Sequence, residues 1–175
     1  MILNVVVVNY YIKREQYDSY ILQHTSYSNQ IVLLLIFRMR MRKQKYIIAG
    51  IPIPQKRHRH TNKGFVYDPS LKDKTAIKRA LMSQTKAKFL GPVSLFVHFY
   101  MKRPQSDYRT GKFKEMLKKD APLHHAKKPD IDNLCKFIMD CCNDIVFKDD
   151  SQVFQLSSSK TYDDSPRTEF TIIGT

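Results

Sequence analysis

Lys128-Pro129-Asp130-Ile131-Asp132-Asn133-Leu134-Cys135-Lys136-Phe137-Ile138-Met139-Asp140-Cys141-Cys142-Asn143 is the stretch on which the reading of this chain turns. At about 100° per residue, Leu134, Phe137, Ile138, Cys141 and, just beyond, Ile145 fall on one face, while Asp132, Lys136, Asp140 and Asn143 gather on the other. The pattern predicts an amphipathic helix with Asp130 at its N-cap. Asp132 in the first turn is favoured by the macrodipole, and Lys136 is spaced for an i,i+4 pair with Asp132 or Asp140. Taken alone, capping and pairing account for these charges without any chemistry. The cysteines read as core packing. Cys135, Cys141 and Cys142 are an odd number without zinc-ligand spacing, which argues for a reducing compartment and against a disulfide frame or a zinc site.

Immediately downstream, Ile145-Val146-Phe147 reads as a short strand or turn. Lys148-Asp149-Asp150-Ser151-Gln152-Val153 then reads as a turn before a new strand. Adjacent aspartates in such a place are ordinarily solvated, but the charge of the whole chain changes their meaning. Thirty Lys and Arg against sixteen Asp and Glu leave a net charge of +14 in 175 residues. That excess points to a polyanionic partner. Carboxylates concentrated in two nearby segments of such a protein would repel that partner. Bound divalent cations remove the conflict, because hard Mg²⁺ accepts carboxylate oxygens and keeps positions for water and phosphate oxygens.

Upstream, the signals are those of a compact mixed α/β fold. Tyr46 to Pro54 reads as a strand whose prolines place its end at a sheet edge or exit. A basic loop, Lys56-Arg57-His58-Arg59-His60, precedes a short Phe65-Val66-Tyr67 strand stopped by Asp68-Pro69. Residues 70 to about 88 read as a helix with Ile77, Ala80, Leu81 and Ala87 as a sparse apolar stripe. Val93, Leu95, Val97 and Phe99 alternate with Ser94, Phe96, His98 and Tyr100, a period-2 strand expected to be covered on both faces. Residues 102–128 carry nine Lys or Arg around Tyr108 and Phe113. They read as a solvated loop with a short amphipathic helix or, given the net charge, as an arm lying on phosphates with aromatics available to bases. His124 and His125 read as solvated residues of this loop, and Asp163 to Pro166 as a turn between two final strands.

Residues 1–38 stand apart. They hold three basic and two acidic residues, which leaves +13 of the charge to residues 39–175. They show no sustained period, and the orderly pattern begins at Met39 and Met41. The expected division is an atypical extension over 1–38, either a docking arm or upstream sequence from a start codon set too early, and a main domain over 39–175.

Composition also excludes classes of function. The five glycines form neither a dinucleotide fingerprint nor a P-loop, so no nucleotide cofactor is expected. The longest apolar runs, Val5 to Val8 and Ile31 to Phe37, fall far short of the ~20 residues of a spanning helix. The start lacks the basic region and cleavage site of a secretory signal. No membrane partner is expected, and the default location is the cytoplasm, in a nucleoid or phage context if the source is bacterial.

Four runs then combine: Ile51-Pro52-Ile53-Pro54-Gln55-Lys56-Arg57-His58-Arg59, Tyr67-Asp68-Pro69, Lys128 to Leu134 with Lys136 and Asp140, and Lys148 to Val153. In this order and spacing, over about residues 44–173, the chain closely resembles the RusA family of Holliday junction resolvases. The resemblance implies a compact single domain with a mixed sheet packed by helices. It also implies a homodimer, a Mg²⁺-dependent endonuclease (Mn²⁺ as a substitute), and paired cutting of four-way junction DNA in recombination and repair. Matched motif to motif, Asp130, Asp132 and Asp150 correspond to the catalytic, metal-binding carboxylates and Lys136 to the helix lysine beside them. Bottom-up, the DNA phosphates are expected to meet Lys56, Arg57, Arg59, Lys112, Lys114, Lys127 and Lys128. The competing readings are a non-catalytic basic DNA-binding module and a nuclease for forks or flaps.

Overall fold

The structure, a computed structural model, describes residues 42–57, 59–60 and 64–174. The expectations for residues 1–38 and for His58 lie outside the described residues. A compact unit begins at Arg42. Its elements in chain order are β1 (Arg42–Ala49), β2 (Arg59–His60), β3 (Val66–Tyr67), α1 (Leu71–Gln84), β4 (Val93–Lys102), α2 (Ile131–Cys142), β5 (Val153–Asp163) and β6 (Arg167–Gly174). Single 3₁₀ turns stand at Gln105–Asp107, Gly111–Phe113 and Asp150–Gln152. This is the mixed α+β domain that the sequence suggested.

The main sheet has the order β1-β6-β4-β5. β4 runs parallel to β5 and antiparallel to β6, and β6 is antiparallel to β1. The strand latest in sequence therefore lies inside the sheet, between β1 and β4. β2 and β3 form a separate two-stranded ribbon, Arg59 opposite Tyr67 and His60 opposite Val66. Part of the expected basic loop is thus one arm of a hairpin.

Period-2 alternation sends Tyr46 and Ile48 of β1, Leu95, Val97, Phe99 and Met101 of β4, and Phe170 and Ile172 of β6 to the same side. All are buried there, and Tyr46 stacks on Phe170 with ring centroids 4.7 Å apart. Both helices lie on this side. Gln44 of β1 donates to the Gln84 carbonyl at the end of α1, and Cys135 of α2 hydrogen-bonds Ser158 of β5. From α2, Leu134, Cys135, Phe137, Ile138, Cys141 and Cys142 are buried, as the helical period required. The three cysteines are free thiols, and burial pushes that of Cys141 up to about 12.

Four expectations need correction. β4 has no helix on its second face among the described residues: Phe96, His98 and Tyr100 are only half-buried there, because both helices pack on the other side of the sheet. α1 stops at Gln84 rather than near residue 88; the Thr85 N–H returns to the Leu81 carbonyl and the chain turns extended. β1 starts four residues earlier than expected and ends at Ala49, where Gly50 takes φ 102° to leave the sheet. That positive φ is accessible to glycine without the Cβ clash other residues suffer. The 102–128 stretch holds no α-helix, only two 3₁₀ turns. Pro104, Gly111 and Pro122 interrupt it too often for one to grow.

The free edge of β1 is closed by a side chain. Gln84 accepts from the Ile47 N–H at 3.0 Å and donates to the Ile47 carbonyl at 3.0 Å, so one amide imitates a neighbouring strand. The chain around Arg103 is ordered by similar means. Its guanidinium reaches Asp107 at 3.3 Å and the Pro122 carbonyl at 2.9 Å, while Tyr108 donates to Asp164 in the β5–β6 turn. Residues 123–125 then run antiparallel beside β5, with Tyr162 N–H donating to the Leu123 carbonyl at 2.9 Å.

Candidate active site and nucleic-acid interface

Asp130 occupies the N-cap of α2 in extended backbone, and its carbonyl accepts the Leu134 N–H. Its carboxylate makes no capping hydrogen bond. An N-cap aspartate ordinarily uses its side chain for the orphan N–H groups of the first turn. Here the carboxylate is exposed and left for other work. Asp132, also exposed, meets only the Asn133 amide, at 3.4 Å. Lys136, one turn later, is exposed and pairs with neither Asp132 nor Asp140 among the described residues, so its i,i+4 bridges do not form.

The adjacent aspartates of the second acidic segment divide their labour. Asp149 caps the 3₁₀ turn, accepting from Ser151 N–H at 3.0 Å, and that bond holds its carboxyl below the usual range. Gln152 completes a capping box by accepting from Asp149 N–H, and it also donates to the carbonyls of Phe89 and Gly91. Asp150, the first residue of the turn itself, has no hydrogen bond or ion pair on its carboxylate among the described residues. The D-x-x-Q spacing of Asp149 and Gln152 is a capping-box signature that the sequence alone could have yielded.

Among the described residues most other acidic side chains are claimed, Glu115, Asp120 and Asp144 excepted. Asp73 meets Lys56 at 3.2 Å, Asp163 meets Arg167 at 3.4 Å, and Glu169 is held by Lys45 and Arg167, both at 2.6 Å. Asp68 and Asp140 share Lys74, whose Nζ lies 2.8 Å from each. The Lys74 hydrogen bond pulls the Asp68 carboxyl down to about 2, against burial and with help from Ser70 N–H and Gln55. Burial by itself would lower the Lys74 pKa, but the two carboxylates outweigh it and the ammonium is stabilised. This triad joins the Tyr67-Asp68-Pro69 turn to α1 and α2. Lys56 N–H donates to Ser70 and Gln55 N–H to the Asn133 carbonyl, which bind the chain after β1 to the same place. Nothing local in the sequence marks Lys74.

Asp130 and Asp132 thus sit at the start of α2, and Asp150 sits on the 3₁₀ turn against which α2 packs. They are not drawn into a cluster of three metal-ligand side chains among the described residues. The basic residues flank them unevenly. Lys127 and Lys128 are exposed directly before Asp130, Arg57 and Arg59 are exposed on the chain leading into and along the β2–β3 ribbon, and Lys112 and Lys114 are exposed on the excursion beyond β4. Lys56 is committed in part to Asp73, and Lys112 lies 5.2 Å over the Phe113 ring. His125 corrects its reading. It is buried with its ring 4.7 Å from that of Tyr162, and burial together with Lys160 and Lys127 lowers its pKa. His124 remains exposed. No helix among the described residues is long and apolar enough to cross a membrane.

A one-face sheet packed by two helices, with two exposed aspartates at the start of one helix, a half-buried one beside it, and no ion pair on any of the three among the described residues of a strongly basic chain, is an arrangement suited to an enzyme acting on nucleic acid. Sequence comparison makes this specific: the family described as Endodeoxyribonuclease RusA matches residues 49–173. The chain belongs to that family and is of the endodeoxyribonuclease class. A relative named "Uncharacterized protein YqaN", from Bacillus subtilis (strain 168), is 35% identical over 135 residues, covering 73% of this chain and 94% of the relative.

Proposed function

We propose that this protein is a Mg²⁺-dependent, structure-selective endonuclease that resolves four-way DNA junctions in recombination and repair, acting as a homodimer in the cytoplasm. The observation that carries the reading is the placement of Asp130, Asp132 and Asp150: of the carboxylates without a partner among the described residues, which also include Glu115, Asp120 and Asp144, these three lie at the start of α2 and on the 3₁₀ turn packed against it. In a chain with almost twice as many basic as acidic residues, these carboxylates have no basic partner among the described residues. Their oxygens are the hard donors that Mg²⁺ takes, and no ammonium or guanidinium has to be displaced, so the donor chemistry fits the ion, although the side chains stand too far apart here to form a ready-made cage. These three side chains would hold the ion, with Mn²⁺ as a substitute. When bound, the ion supplies a water nucleophile at neutral pH and relief of charge on the scissile phosphate.

The chain's own residues do the rest. Lys136, unpaired on the same helix face as Asp132, offers an ammonium to negative charge that develops on the phosphate. Lys127 and Lys128 position the backbone beside Asp130. Lys56, Arg57, Arg59, Lys112 and Lys114 hold phosphates of the duplex arms, which fixes register without reading sequence. Two copies related by a two-fold axis supply the paired cuts that resolution needs. The working unit in this reading is residues 39–175.

The test sets junction binding against cutting. Asp132→Asn should lower cleavage of a labelled four-way junction in Mg²⁺ by orders of magnitude, while gel-shift affinity in Ca²⁺ stays equal or tightens as repulsion of phosphate is relieved. Wild-type cutting by this variant would refute the assignment. No Mg²⁺-dependent cutting by the wild type on junction, fork or duplex would leave a binding module. Preference for a fork or flap would move the substrate.

A further inference from the structure

The start of α2 raises a question that its own residues do not answer. Asp130 stands at the N-cap without capping, so its side chain does not fix the path of the chain into the helix. Something else must, if the carboxylate is to have a defined position. The holding group comes from β5. Lys160 projects to the helix side of the sheet, and its Nζ donates to the Lys127 carbonyl at 2.9 Å and to the Pro129 carbonyl at 2.8 Å. Its own carbonyl accepts the His125 N–H at 3.2 Å. Lys160 thus grips residues 125–129 at three points from below, the last of them on the residue that precedes Asp130.

We propose that Lys160 is a positioning residue for the metal-binding carboxylates: it anchors the lead-in to α2 so that Asp130 can offer its oxygens to a divalent cation instead of to the helix. This rests on the reading of Asp130, Asp132 and Asp150 given above. The chemistry explains the residue type. An ammonium carries three donors and no acceptor, so it satisfies two carbonyls at once, and charge-assisted bonds to carbonyl oxygens are short and strong. β5 is bonded along its length to β4, so the anchor stands on a rigid element. It does not touch the carboxylates in any contact described, and its effect passes through the backbone. Groups that hydrogen-bond a metal's ligands commonly govern affinity for it by about 10–100-fold, and Lys160 acts one step further out, on the backbone that carries Asp130, so that range is the upper bound of its effect.

The test compares Lys160→Met, Lys160→Arg and Asp132→Asn in the full chain. Mn²⁺ binding is measured on the DNA-free protein by electron paramagnetic resonance, and the Mg²⁺ concentration for half-maximal cleavage is measured on a four-way junction. Lys160→Met should weaken Mn²⁺ binding and raise the Mg²⁺ requirement, by at most about 10–100-fold. Junction affinity in EDTA should stay within about twofold, and excess Mg²⁺ should restore much of the cutting, which loss of fold would not allow. Lys160→Arg keeps charge and several donors and should recover most of the metal affinity. If Lys160→Met does not fold, the arginine variant carries the test, and its failure to bind Mn²⁺ while melting as the wild type does would overturn the proposal. Wild-type metal affinity in a folded Lys160→Met, with Asp132→Asn deficient, overturns the role of Lys160 alone. Wild-type metal affinity and cutting in Asp132→Asn overturns the site reading beneath it.

Discussion

Asp140 and Asp132 lie two turns apart on the polar side of one helix, yet they live in different electrostatic worlds. Asp140 shares the partly buried ammonium of Lys74 with Asp68, and all three side chains are mostly shielded from water. Asp132 and its neighbour Asp130 face solvent with no cation paired to them among the described residues. The first group ties three segments of chain together and is complete. The second has charge and reach left over, at the end of the helix where the macrodipole already favours an anion. The contrast teaches that, in a chain this basic, lack of a lysine partner matters only together with place: Glu115, Asp120 and Asp144 are unpaired too among the described residues, but Asp130 and Asp132 stand together at a helix N-terminus.

The comparison breaks most visibly if the two groups are neutralised separately. Asp130→Asn and Asp150→Asn should each cut junctions at least a hundredfold more slowly with an unchanged melting temperature. Asp140→Asn should cut at near the wild-type rate per folded molecule. Parallel cleavage and melting assays read the distinction, and a fall in cutting by Asp140→Asn equal to that of Asp130→Asn would erase it.

Next in size is Lys74→Met, which leaves two carboxylates facing each other in a partly shielded site. It should lose about 2–3 kcal/mol in urea unfolding, somewhat less than for a fully buried pair, and retain cleavage below the transition. Asp68→Asn should lose about 1–2 kcal/mol at neutral pH, after discounting for the water that reaches the pair. The sign follows from the pKa, which lies at about 2 in the folded chain and near 4 in the unfolded one. The unfolded state takes up the proton first as pH falls, so the stability due to Asp68 is whole above pH 4 and fades between 4 and 2. Wild type and Asp68→Asn should therefore converge in acid, which melting curves across that range can check.

The smallest expected effect concerns the basic residues that have no acidic partner. Arg57→Ala with Arg59→Ala should leave stability unchanged and reduce the log–log salt slope of junction binding by about 2, roughly 0.9 for each lost phosphate contact. An unchanged slope would move the DNA path away from the β2–β3 ribbon.

Helix α2 was legible from periodicity because burial of Leu134, Phe137, Ile138 and Cys141 is a local consequence of 3.6 residues per turn. β4 was legible for the same reason, but its coverage was not: a strand's pattern says which side chains share a face, not how many layers the topology supplies. The shared lysine was invisible because Lys74 and Asp140 stand 66 residues apart and meet only through the packing of α1 on α2. Nothing local marks Lys160 either, since the carbonyls it holds lie 31 and 33 residues earlier in the chain. The Asp149-Asp150 pair was half legible. Its family likeness singled out the second aspartate, and the capping box that engages the first was present in the letters.

The position of β6 inside the sheet sets an order of events during synthesis. β1 and β4 are made long before β6, yet neither is bonded to the other; each waits for Arg167–Gly174 to slide between them. β5 must likewise cross some fifty residues of intervening chain to reach its parallel partner, the kind of distant pairing that slows folding. A ribosome that has delivered α2 with all its aspartates has therefore delivered a helix without a floor. The sheet on which α2 rests is thus closed by a strand made after α2 itself, and the acidic helix is complete before its floor is.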